Sequence, residues 1–156
     1  MGVTRRPVFV RAEKLWKEYA MGSTTPLQVL KGAEVEIRQG EIIVVIGPSG
    51  SGKSTLLHIL GGLDQPTSGL VSVGGQNLFT LPEDQRSAFR NRKLGFIFQF
   101  HHLLSEFTAL ENVAMPALIK GEMLKEVRHR AETLLREVGL DGRIDHKPAE
   151  LSGGEQ

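Results

Sequence analysis

The chain has 156 residues, of which 40% are hydrophobic and 24% are charged, as is typical of one globular domain. Its 19 basic and 18 acidic residues nearly cancel, which argues against nucleic acid as a partner. Because the chain contains no cysteine, disulfides and zinc–thiolate sites are excluded. The longest apolar run, "IIVVIG", is too short to span a bilayer, so composition predicts a soluble domain that faces the cytosol.

The first half of the chain has the pattern of an α/β fold. Residues 33–37 alternate apolar and charged side chains and predict a half-exposed strand, whereas the apolar run at residues 41–47 predicts a strand buried on both faces. A third strand is predicted at residues 70–73, closed by a turn at Gly74 and Gly75. A helix is predicted between the strands at residues 41–47 and 70–73. It is expected to bury one face, which is made of Leu56, Leu57, Leu60 and Leu63.

The second half is predicted to be mainly helical. Residues 82–93 begin with Pro82 and two acidic residues, which favour a first helical turn, and a buried strand is expected at residues 94–99. Thr108 and Glu111 have the spacing of a capping box, which marks the start of another helix. The last helix is expected to bury one stripe and to end at Gly139; the stripe is Leu124, Val127, Ala131, Leu134, Leu135 and Val138.

A phosphate-binding loop is predicted where the buried strand meets the first helix. The stretch "GPSGSGKST" matches the pattern G-x-x-x-x-G-K-[ST]. Glycines let the backbone amides turn towards an anion, the lysine reaches the β- and γ-phosphates, and the following serine is placed to bind Mg²⁺. We therefore predict an ATP and Mg²⁺ site, and its residues are Gly47, Pro48, Ser49, Gly50, Ser51, Gly52, Lys53, Ser54 and Thr55.

Three further features resemble the nucleotide-binding domain of ABC transporters: Tyr19, Gln99 and the terminal "LSGGEQ". The resemblance implies that Tyr19 stacks on adenine and that Gln99 contacts Mg²⁺ and the attacking water. It also implies that the signature binds the γ-phosphate of ATP held by a second copy in a head-to-tail dimer. The signature residues are Leu151, Ser152, Gly153, Gly154, Glu155 and Gln156.

The same resemblance sets the expected fold and domain limits. We expect an α/β P-loop NTPase core with an N-terminal antiparallel β part over residues 1–99, a helical subdomain over 100–150 and the start of the signature over 151–156. In this family an Asp-Glu strand and a switch histidine follow the signature. The sequence is therefore expected to lack the last third of the domain, and the 156-residue chain is expected not to turn over ATP.

The stretches around the P-loop and around Gln99 are similar to the branch that contains lipoprotein-releasing, macrolide-export and cell-division ATPases. This similarity implies the motor subunit of a transporter, peripheral on the cytoplasmic face of the bacterial inner membrane. The segment after Gln99 is expected to contact transmembrane permease subunits, and lipoprotein release is the favoured function. A macrolide-export or cell-division motor is the first alternative, and a soluble P-loop kinase or a DNA-repair ABC ATPase is less favoured.

Overall fold

The structure is a computed structural model, and it describes residues 6–20, 22 and 25–156. The chain forms two compact units, Met1–Arg90 and Asn91–Gln156. Within the described part of the chain, no helix is both long enough and apolar enough to cross a membrane. The domain limits expected from the sequence stay predictions.

The first unit is built on an antiparallel sheet of four strands. The strands are β1 (Val8–Tyr19), β2 (Leu27–Arg38), β3 (Ser68–Val73) and β4 (Gln76–Asn77), in the order β2-β1-β3-β4. Residue Ala12 at the centre of β1 lies opposite Val35 on one side and Val71 on the other. The predicted half-exposed strand is therefore the second half of β2, and the predicted strand near Val71 is β3.

A short helix, α1 (Lys53–Leu60), follows the P-loop and contacts β2. It buries Leu56 and Ile59, and Gly61 is its C-cap residue. The predicted buried face was partly wrong, because Leu57 is 53% and Leu63 45% exposed. Ile59, which the leucine pattern omitted, lies three positions after Leu56 and so shares its side of the helix.

A second helix, α2 (Glu83–Lys93), starts where the acidic residues predicted it. None of its residues is buried. Arg90 donates from Nη1 to the carbonyl oxygen of Gly62 at 2.8 Å, which connects this helix to the turn after α1. A short 3-10 turn at Leu78–Thr80 precedes it, and Leu78 in that turn is fully buried.

The second unit packs two helices, α3 (Ala109–Ile119) and α4 (Leu124–Glu137), around one apolar cluster. The capping box at Thr108 and Glu111 is confirmed, since the threonine side chain accepts from the Glu111 amide. The buried face of α4 is narrower than predicted, because Leu134 is 47% and Val138 70% exposed. The cluster comprises Ala109, Leu110, Ala114, Ala117, Val127, Ala131, Leu135 and Leu151.

The two predicted buried strands, residues 41–47 and 94–99, are not strands in the structure. Ile42 is 93% exposed and Ile97 is fully exposed. A strand forms only through hydrogen bonds to a neighbouring strand, and no described segment pairs with either run. An apolar run indicates a preference for burial, whereas a strand also needs a partner elsewhere in the chain.

Candidate functional site

The P-loop folds as a tight turn that only glycine permits at its critical positions. Gly50 has φ +77° and Gly52 has φ +89°, both in the left-handed region. A Cβ at position 52 would lie 3.1 Å from the carbonyl oxygen of Val29, and one at position 47 would lie 2.9 Å from Ser51 Oγ. A side chain at position 47 or 52 would therefore crowd its neighbours, so the conformation of this loop depends on glycine there.

Lys53 is held over its own loop. Its ammonium donates to the carbonyl oxygens of Gly47 at 3.0 Å and Pro48 at 2.7 Å. Lys53 is also the first residue of α1, whose backbone amides point towards the loop at the positive end of the helix dipole. The lysine charge and the helix start thus lie at one place, an arrangement suited to binding an anion.

Tyr19 lies at the end of β1 and its side chain is 37% exposed. Its hydroxyl donates to Asp64 Oδ2 at 2.6 Å. This hydrogen bond to a carboxylate, aided by burial, raises the pKa of Tyr19, and a hydrogen bond with Thr55 partly lowers it.

Asp64 accepts a second strong hydrogen bond, from Lys17 Nζ at 2.6 Å. Burial raises the pKa of the Asp64 carboxyl, but the hydrogen bonds from Lys17 and Tyr19 outweigh it, so this pKa lies below its ordinary value of 3.8. Lys17 also donates to the carbonyl oxygen of Gln65 at 2.7 Å. Sequence reasoning missed Lys17 and Asp64, because they are 47 positions apart and no local pattern connects them.

The signature residues form a single hydrogen-bonded turn at Ser152–Gln156. The Ser152 amide donates to Glu155 Oε2 at 2.8 Å, and the amides of Glu155 and Gln156 both donate to the Ser152 carbonyl. Arg143 donates to Glu155 Oε1 at 3.2 Å. Leu151, directly before this turn, belongs to the apolar cluster of the second unit and so anchors the turn.

Glu155 is strongly perturbed by its surroundings. The backbone amide of Ser152, its hydroxyl and Arg143 together lower the pKa of Glu155 from 4.5 to about 2. The bond from the Ser152 amide to the Glu155 carboxylate is one half of a capping box, in which a side chain three residues on accepts from the N-cap amide. No atom lies within 4 Å of a Cβ built at Gly153 or Gly154, so both backbones are open to approach.

The predicted metal ligands belong to different units, with Ser54 in the first and Gln99 in the second. Both side chains offer oxygen donors, which are what Mg²⁺ prefers. Gln99 is exposed and lies in an irregular segment rather than at a strand end. Across the described ranges, no group of three His, Asp or Glu side chains is placed to hold a metal by itself. The roles of Ser54 and Gln99 stay predictions.

The chain matches the family described as ABC transporter over residues 30–156. The lipoprotein-releasing system ATP-binding protein LolD of Legionella pneumophila (strain Lens) is 53% identical over 96% of the chain and 65% of its own length. LolD of Xanthomonas campestris pv. campestris (strain 8004) is also 53% identical, over 94% of the chain and 61% of its own length. The chain thus spans less than two thirds of these relatives.

A solved structure confirms the expected fold. It is the dimeric structure of a post-hydrolysis state of the ATP-binding cassette MJ0796 bound to ADP and Pi. It matches with a TM-score of 0.85 and 40% identity, over 94% of this chain and 64% of that one. The P-loop NTPase fold of ABC ATPases, predicted from the motifs, is therefore confirmed for the part present. By its motifs, its fold and its match over residues 30–156, the chain belongs to the ABC transporter family.

Proposed function

We propose that this chain is the ATP-binding part of a transporter motor that powers the release of lipoproteins from a bacterial inner membrane. The observation that carries the proposal is the P-loop, in which Lys53 and the start of α1 lie together at a glycine turn. The lipoprotein-releasing role is supported by 53% identity to LolD of Legionella pneumophila (strain Lens). The match covers 65% of the length of that protein. Macrolide export and cell division are the alternatives that the test below must separate.

In this proposal the P-loop binds the phosphates of MgATP. The loop amides donate to the phosphate oxygens, and Lys53 exchanges its contacts with Gly47 and Pro48 for contacts with the β- and γ-phosphates. Each charge-assisted hydrogen bond contributes about 1.5–3 kcal/mol. Mg²⁺, when bound, would offset the phosphate charge, and the Ser54 hydroxyl is the oxygen donor of the first unit that we propose to hold it.

Tyr19 is proposed to bind the adenine ring. Tyr19 lies at the end of β1, and its hydroxyl is bonded to Asp64 in the turn after α1, the helix that begins at the P-loop lysine. An exposed aromatic ring at that point offers a stacking surface. Stacking of a base on an aromatic side chain contributes about 1–3 kcal/mol in nucleic-acid complexes.

The signature is proposed to act on ATP bound by a second copy. Support comes from the exposed backbone of Gly153 and Gly154 and from the dimeric form of the similar cassette MJ0796. Ser152, Gly153 and Gly154 would donate to the γ-phosphate, while Glu155 and Gln156 hold the turn. ATP would then bridge two head-to-tail copies, and hydrolysis would release them.

The segment after Gln99 is proposed to meet the membrane subunits. Phe100 is 70%, Leu104 44% and Phe107 39% exposed. These three exposed apolar side chains, which follow Gln99 in the chain, offer a surface on which a permease helix would pack. The protein would then lie peripherally on the cytoplasmic face of the inner membrane.

A chimera tests the proposed function directly. Residues 8–156 would replace the matched part of LolD from Legionella pneumophila, and release of lipoproteins would be measured in cells depleted of their own LolD. We expect the chimera to restore release and the same chimera with Lys53→Ala to fail. A chimera that folds and hydrolyses ATP but releases no lipoprotein would contradict the assigned cargo and favour one of the alternatives.

A further inference from the structure

Lys17 differs from the other charged residues of the described chain because it is buried, with 9% of the residue exposed. It lies on β1 two positions before Tyr19, so both side chains point to the same face of the sheet. Burial of an ammonium group is costly unless it is paired, and Lys17 has two partners, Asp64 and the carbonyl oxygen of Gln65.

The Tyr19 ring is restrained at two places by this pair. Its hydroxyl donates to Asp64 at 2.6 Å, and Lys17 Nζ lies 4.6 Å from the ring centroid. An ammonium over an aromatic face is attracted by the ring electrons, and it also covers that face. One face of the ring is thus directed to Lys17, and a flat ligand can stack only on the other.

We propose that Lys17 and Asp64 are positioning residues that fix Tyr19 for stacking on the nucleotide base, and so set the preference of the site for a nucleotide over a bare polyphosphate. The proposal rests on the proposed function, in which Tyr19 binds the base. Neither residue touches the phosphates: both act through the tyrosine ring.

Two physical arguments support this role over a purely structural one. The Lys17–Asp64 pair is partly buried, and such a pair adds little net stability, because the cost of removing charges from water offsets their attraction. A ring that is held in one orientation before binding loses less conformational freedom when a base stacks on it, which raises affinity. The contacts of Lys17 and Asp64 with Tyr19 therefore contribute more to the orientation of the tyrosine ring than to the stability of the fold.

The test compares two probes that differ only in the base and sugar. Affinities of the 156-residue chain for MgATP and for magnesium tripolyphosphate would be measured by calorimetry. Asp64→Asn, Lys17→Met and Tyr19→Phe should each weaken MgATP binding about threefold to tenfold, since preorganisation of one ring is lost. Binding of tripolyphosphate should not change. Glu36→Gln, which removes a surface ion pair with Arg11 on the same sheet, is the matched control.

A double variant and a titration distinguish loss of the orientation of Tyr19 from a general loss of folded structure. If the hydroxyl and Asp64 act as one unit, Tyr19→Phe combined with Asp64→Asn should lose no more affinity than either alone. Tyr19 is the single tyrosine of the chain, so the ultraviolet absorbance of its phenolate reports this residue alone. Asp64→Asn should lower the pKa of Tyr19, because the carboxylate that accepts the hydrogen bond from its hydroxyl loses its negative charge.

Two results would overturn the proposal: MgATP affinity unchanged in Asp64→Asn and Tyr19→Phe, or equal losses for both probes. Lys53→Ala is the arm that tests the underlying site. Should Lys53→Ala leave both affinities unchanged, the proposed function fails. Should it weaken both while Asp64→Asn weakens neither, the proposed function stands and only the positioning role fails.

Discussion

Lys53 Nζ and the carbonyl oxygen of Pro48 lie 2.7 Å apart, so the ammonium that would meet a phosphate is already fixed above the loop. The same lysine begins α1, and the left-handed conformation of Gly52 turns the chain into that helix. Position and charge are therefore set by the loop itself, and substitutions in the loop should affect binding more than substitutions of similar size elsewhere.

Gly52→Ala should both destabilise the first unit and weaken MgATP binding. A left-handed alanine costs about 1–2 kcal/mol in free energy of unfolding, and here the added Cβ would also lie 3.1 Å from the carbonyl oxygen of Val29. Gly75→Ala is the control, because Gly75 is also left-handed but has no atom near the added Cβ. Urea denaturation followed by Trp16 fluorescence measures stability. Equal MgATP affinity in the two variants would contradict the role of Gly52.

Ile59→Ala should destabilise the first unit far more than Ile46→Ala. Ile59 is fully buried, and its truncation should lower the free energy of unfolding by about 2–5 kcal/mol. Ile46 is 86% exposed in the irregular segment before the P-loop, so its truncation should have little effect. The same denaturation experiment measures both. Similar losses would show that residues 41–47 are packed in solution, as the apolar pattern alone predicted.

The pKa of Glu155 should be about 2, and Ser152→Ala should raise it towards its ordinary value of 4.5, because the hydroxyl that stabilises the carboxylate is removed. Since the folded pKa is depressed, this group stabilises the signature turn above about pH 4.5, and the contribution is lost as the pH falls towards 2. A carboxyl NMR titration measures the midpoint. A midpoint near 4.5 in the unaltered chain would show that the turn does not form.

Patterns among neighbouring residues predicted where helices begin, but they did not predict contacts between residues that are far apart in the chain. The capping pair Thr108 and Glu111 and the acidic start of α2 were read correctly, because helix ends depend on residues three or four positions apart. The helix expected directly after the glycine-rich stretch is also confirmed, since α1 begins at Lys53.

Features that depend on distant segments could not be predicted in this way. The runs at residues 41–47 and 94–99 are apolar enough for buried strands, but whether a strand forms depends on a partner that the run does not encode. The pairing of Lys17 with Asp64 likewise brings β1 to the turn after α1, and nothing near either residue indicates it.

The most direct test of the central claim is calorimetry of MgATP binding to the unaltered chain, to Lys53→Ala and to Lys31→Ala. Lys31 is an exposed lysine on β2 and serves as the matched control. We expect Lys53→Ala to weaken binding at least about tenfold, as loss of a charge-assisted hydrogen bond to phosphate predicts, and Lys31→Ala to bind normally. Equal MgATP affinity in all three proteins would contradict the assignment of residues 47–55 as the nucleotide site.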